Sequence, residues 1–177
     1  MSIISTVAPE QANGKVAQVY AQIQPVMGRV PNAMQLYSGS PELLEQQWQQ
    51  MAYYMQHPTL SLPLLAMLRM LVSQHNDCAY CIGLNESMLI HRAGLTPEQV
   101  AATKRNPADA PLPEKDKAML LFALKATENP KSVASGDLDR LRALGWRDSD
   151  ILDAVHHGAR NVAADIVFNT FKIDNDF

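Results

Sequence analysis

Both cysteines of the 177-residue chain lie in one short run, Asn76-Asp77-Cys78-Ala79-Tyr80-Cys81. Cysteines at i and i+3 share one edge of a helix, close enough to form a disulfide. At a helix start a thiolate also faces unpaired backbone N–H groups, which lower its pKa. The chemistry this spacing offers is that of a dithiol that reduces a substrate and is itself oxidised. Tyr80, between the two, is placed either to donate a hydrogen bond or to pack. Two other readings compete: a pair of buried cysteines acting as small hydrophobes, and half of a zinc site. Zinc would need two further ligands. No second Cys-x-x-Cys or His-x-His occurs, and His75 and His91 flank a helix where a zinc knuckle would want a turn.

The elements that must position this pair read as helices throughout. Pro9-Glu10 opens a helix towards Gln24, with Pro25 at its end. Ser40-Pro41-Glu42 starts another, on which Leu44, Trp48, Met51 and Met55 share a face. Thr59 or Ser61, followed by Pro63, begins the helix that leads to the cysteines. Asp77 is the expected cap of the cysteine helix, and Gly94 closes it. Thr96 and Gln99 have capping-box spacing, and Asn106–Pro113 with its prolines is a loop. Further helices are expected at 114–127, at 136–144 with Gly145 as the stop, and from about Asp148 to Phe171. On the last of these Ile151, Val155, Val162 and Ile166 form the expected apolar stripe. No segment alternates with the period of two that a half-exposed strand requires. The chain therefore reads as one all-α domain spanning 1–177, a helical bundle.

Composition narrows the function classes. Apolar residues make up 47%, which is ordinary for a globular protein, and the net charge is −3. There is no basic cluster interleaved with aromatics, so nucleic acid is not an expected partner, and neither is a membrane. The N-terminus lacks the basic start and apolar run of a secretory signal, which leads to the expectation of a cytoplasmic protein. Structural disulfides are rare in that compartment, which further favours a working cysteine pair.

The run Val72-Ser73-Gln74-His75-Asn76-Asp77-Cys78-Ala79-Tyr80-Cys81 resembles the core motif of the carboxymuconolactone decarboxylase/alkyl hydroperoxidase D-like family. Gly28–Asn32, Ser40–Leu43, Glu114–Asp116 and the stretch from Asp137 to Ile151 are similar to its peroxidase-related branch. The resemblance implies an alkyl hydroperoxidase D-like helical bundle that assembles as a dimer, trimer or hexamer. It implies a thiol-dependent peroxidase or disulfide oxidoreductase of antioxidant defence, recycled by an external dithiol, with no bound cofactor or metal. In that family the second cysteine attacks the peroxide and the first resolves it, so Cys81 would attack and Cys78 resolve. The family's Glu–His relay has no counterpart: Ala66 and Asn85 stand at its two positions. Neither a methyl group nor an amide acts as a base, so a relay-driven peroxidase would be slow here.

Replacement residues are therefore of interest. Asn85 lies one turn beyond Cys81, where it would hydrogen-bond a thiolate or sulfenate. His75 stands three residues before Cys78, although a helix C-terminus suits an exposed histidine equally well. On the last helix Asp153, His157, Asn161, Asp165 and Asn169 recur every four residues as one polar stripe. A solvated face is the simplest reading of such a stripe; of its members His157 is the expected site residue. Cys81, Cys78, His75, Asn85 and His157 are thus the candidate catalytic set. Two other functions stay open: a decarboxylase-type lyase on a small cyclic acid, anchored by Arg69 or Arg160, and a non-catalytic redox-sensing oligomer.

Overall fold

The computed structural model describes residues 2–177, and among them helices and turns occur but no strand. The chain divides into two compact units, one running up to His57 with Phe168–Asp176, the other Pro58–Val167 with Phe177.

The smaller unit contains α1 (Gly14–Met27), α2 (Asn32–Gln35) and α3 (Pro41–Met55). Val19, Tyr20 and Ile23 of α1 and Leu44 and Trp48 of α3 are buried in it, and the Trp48 indole N–H donates to Gln22 Oε1 at 3.0 Å. Pro9–Gln11 forms only a short 3-10 turn, and the helix proper starts at Gly14. Pro25 lies inside α1 instead of ending it. So near a C-terminus a proline forfeits one helical hydrogen bond and the helix runs on. Gly28, at φ +79°, ends it with its N–H on the Gln24 carbonyl at 2.8 Å. Ser40 occupies the N-cap position of α3 without a side-chain capping bond. The α3 stripe is deeply buried at Leu44 and Trp48, whereas Met55 is exposed.

The larger unit contains α4 (Leu62–His75), α5 (Ala79–His91), α6 (Pro97–Arg105), α7 (Glu114–Glu128), α8 (Ser135–Ala143) and most of α9 (Asp148–Phe171). α4 is apolar nearly all round: Leu64, Leu65, Met67, Leu68, Met70, Leu71 and Val72 are all buried. Such a helix belongs at the centre of its unit, and α5, α6 and α7 pack against it. Ser61 caps it, its Oγ accepting from Leu64 N at 3.4 Å, while Thr59 instead donates to Asp150 Oδ1 at 2.8 Å. The Thr96–Gln99 capping box forms in both directions, at 2.9 and 3.2 Å. Gly158 lets α9 approach closely, since a Cβ there would stand 2.7 Å from Thr127 Cγ2 and 3.7 Å from Leu68.

α9 overturns one expectation. Its inward side carries Ala154, His157, Gly158, Asn161 and Asp165, all buried, so the middle of the polar stripe faces the interior while Asp153 is half-buried and Asn169 exposed. Of the expected apolar stripe only Ile151 is buried, and Ile166 is 62% exposed. The polar stripe turns inward because α4 and the turn after it supply hydrogen-bond partners for it, a condition that satisfies buried polar groups. No helix is long and apolar enough to cross a membrane among the described residues.

Candidate active site

The turn between α4 and α5 is short. Asn76 N–H bonds the Val72 carbonyl at 3.2 Å and Cys78 N–H bonds the Ser73 carbonyl at 3.0 Å. The reversal is made at Asp77, which sits at φ +52°. Aspartate tolerates this left-handed region better than most residues. Asp77 is therefore the hinge of the turn and not the expected cap. The N-cap of α5 is Cys78 itself, whose carbonyl accepts the helix's first bond from Ile82 N–H at 3.0 Å. Cys81 follows in the first turn of α5. Both cysteines are reduced and buried.

The helix start orders the two thiols. Cys78 is held below the usual thiol pKa chiefly by the Cys81 thiol donating to it, with the Cys81 backbone N–H also facing it, short of full capping geometry. Burial and the nearby Asp165 oppose this shift. Cys81 is pushed far up, first by donating its proton to Cys78, then by burial and by the negative charges of Cys78 and Asp165. A shared proton between close thiols leaves room for one charge, and the bond donated by Cys81 favours it on Cys78.

The third member is Asp165, fully buried on α9, whose carboxylate oxygen and the two sulfurs all lie within 4.8 Å of one another. Three donors orient it: Ser73 Oγ at 2.8 Å, Asn76 Nδ2 at 3.0 Å, and Asn161 Nδ2 at 3.3–3.4 Å from its two oxygens. Asn161 Nδ2 also lies 2.7 Å from Ser73 Oγ, so serine, amide and carboxylate form one buried network. Two sulfurs and a carboxylate oxygen are zinc-type donors. A tetrahedral structural site takes a fourth, and no such group joins the cluster among the described residues.

Asn85 is buried, but its side chain is committed elsewhere. Its Nδ2 donates to the Cys81 carbonyl at 2.7 Å and its Oδ1 accepts from Arg69 Nε at 2.8 Å. His75 is exposed in the last turn of α4. His157 is buried on the inward stripe, one turn before Asn161. The titratable groups that shift the thiols are each other and Asp165. Asp165 is the member of the stripe that stands beside the thiols, where the sequence pattern pointed to His157. Its signal was the period-four polar stripe, which names the face but not the turn that meets the cysteines.

No protein-family model matches the sequence, and no curated protein matches it. Solved structures do. A peroxidase-related protein from Ralstonia eutropha JMP134, described as an alkylhydroperoxidase AhpD core, superposes with a TM-score of 0.85 at 22% identity, over 99% of this chain and 92% of its own. A peroxidase-related protein from Silicibacter sp. TM1040 gives 0.79 at 24% identity, over 90% and 84%. The debrominase Bmp8, as a cysteine-to-alanine variant in complex with 2,3,4-tribromopyrrole, gives 0.77 at 14% identity, over 99% and 94%. In fold, the chain is an all-α protein of the alkyl hydroperoxidase D-like type.

Proposed function

We propose that the protein is a dithiol oxidoreductase that reduces a peroxide or a disulfide at Cys78 and Cys81 and is returned to the dithiol by an external reductant. The observation that carries this reading is the buried triad of two free thiols and a carboxylate within 4.8 Å, with the thiolate favoured on Cys78 by the bond from Cys81. With a hydroperoxide, the Cys78 proton passes to Asp165 and the thiolate attacks the terminal oxygen. The O–O bond breaks, and the alkoxide leaves and takes the proton back from Asp165 as alcohol. Cys78 is now a sulfenic acid. The Cys81 thiol displaces its oxygen as water and closes the disulfide, so two electrons leave the protein for each peroxide. Asp165 takes the proton-handling part that Ala66 and Asn85 cannot. This assignment gives attack to Cys78, the reverse of the order implied by the family resemblance.

The test is peroxide consumption with dithiothreitol as recycling reductant. Cys78→Ser and Cys81→Ser each abolish turnover, and mass spectrometry finds a sulfenic acid on Cys78 in the Cys81→Ser protein. Turnover that persists in both variants overturns the reading. The likeness to a debrominase favours one alternative, in which the same dithiol supplies two electrons to replace carbon-bound bromine by hydrogen. Bromide release from tribromopyrrole, with no consumption of peroxide, would establish it instead.

A further inference from the structure

Arg69 projects from the interior of α4, and most of it is removed from solvent. Its Nε donates to Asn85 Oδ1 at 2.8 Å and its Nη2 points to Met88 Sδ at 3.6 Å. Arg29, Arg142 and Arg147 each have an aspartate partner. Arg69 has none among the described residues: its protein partners are an amide and a thioether. Burial lowers its pKa to about 10, which still leaves it charged at neutral pH. A guanidinium carries five N–H donors in a planar fork, and here the Nη1 edge is left over. Arg69 is half-buried with no carboxylate partner, so an anion arriving from solution gains a charge-assisted contact at this edge.

The surroundings define the anion. Asn85 and Met88 fix the plane of the fork before anything binds, which favours a bidentate oxyanion. The fork brings a single positive charge, and Met88 beside it is apolar, so a singly charged carboxylate on an apolar body fits better than a multiply charged phosphate. Asn85 also ties the fork to the reactive turn through the Cys81 carbonyl, and a negative charge on Cys81 raises the Arg69 pKa. We propose that Arg69 anchors the carboxylate of the substrate, so that the dithiol acts on carboxylate-bearing, otherwise apolar hydroperoxides or disulfides. This deepens the dithiol reading and rests on it for the reaction, but not for the binding.

Binding is therefore tested apart from turnover, by calorimetric titration of the full reduced chain with hexanoate and with its neutral counterpart hexanamide. Hexanoate binds the wild-type protein at least tenfold more tightly than hexanamide. Arg69→Gln removes that preference, and Arg69→Lys, which keeps the charge but loses the fork, restores part of it. Equal affinity for the two ligands, an unchanged preference in Arg69→Gln, or no binding of hexanoate overturns the anchor. Should Arg69→Gln fail to fold, the comparison of the two ligands on the wild-type protein still decides. Absent hexanoate binding with intact peroxide reduction refutes the anchor alone. Hexanoate binding without peroxide reduction refutes the dithiol reading alone.

Discussion

A carboxylate buried against two thiols acts on them in opposite directions. Its charge raises the pKa of both Cys78 and Cys81, yet in the proposed mechanism its oxygen receives the proton when a thiolate forms. Asp165→Asn keeps the shape and the contacts to Ser73 and Asn161 while removing both effects. The Cys78 titration, followed by ultraviolet thiolate absorbance, therefore moves to lower pH in Asp165→Asn, and the rate of disulfide formation with peroxide falls at every pH. A merely structural role predicts no such opposed pair: loosening the site would move Cys78 towards the value of free cysteine, about 8.5. A titration that moves upward refutes the assignment of Asp165 as proton acceptor. Asp165→Ala is the harsher change, leaving the Ser73, Asn76 and Asn161 donors without their acceptor. Buried donors stranded in this way cost about 1–3 kcal/mol each.

Among the elements, starts and stops that depend on neighbouring residues were legible in the sequence. The Thr96–Gln99 box, Ser61 before Pro63, and the glycines at 94 and 145 are local chemistry, and the structure has them. What the sequence concealed depends on distant partners. The polar stripe of α9 is visible as a period-four pattern, but its inward orientation is decided by Ser73, 92 residues from Asp165. Likewise Asp77 and Cys78 are both plausible helix starts, and only the tight return from α4 makes the first a hinge and the second the cap. The start of α9 shows the same dependence and gives a pH test. Asp150 is buried, accepts from the Arg147 backbone N–H at 3.1 Å and from Thr59 at 2.8 Å, and pairs with the Arg147 side chain at 2.9 Å. The Arg147 side-chain bonds, reinforced by Thr59, hold its carboxyl well below the usual range. A carboxyl with a depressed folded pKa contributes stability that is complete above its unfolded pKa of about 3.9. That contribution is lost as the pH falls through the folded value. Asp150→Asn thus destabilises the protein at neutral pH by about 1–2 kcal/mol in urea unfolding. The gap to wild type narrows progressively below about pH 4, and a gap independent of pH down to strong acid refutes the ion-pair account.

For the molecule as a whole, the inversion of α9 leaves an outward face to be explained. Leu152 and Ile166 are 69% and 62% exposed, and with Ala159 between them they recur every seven residues. Val155 and Val162 fall on the intervening turns of the same face, so the row has the 3.5-residue spacing with which two helices pack side by side. Scattered exposed apolar residues are common on monomers, but a continuous row on one helix marks an interaction surface. The net charge of −3 offers little repulsion between copies. We therefore propose a homo-oligomer in which this face of α9 meets a second copy. Light scattering behind size exclusion then gives a mass that is a multiple of 19.6 kDa. The double variant Leu152→Glu/Ile166→Glu places like charges along the row and shifts that mass to one chain, with unchanged helical circular dichroism. A wild-type protein that runs as a monomer at tens of micromolar, or a double variant that stays assembled, refutes this surface as the interface. The double variant also tests whether the thiol site is complete in one chain: the cysteines, Asp165, Ser73, Asn76 and Asn161 all come from a single copy. Disulfide formation in the dissociated protein therefore stays within about twofold of wild type, whereas a site finished by a neighbour would lose its rate on dissociation.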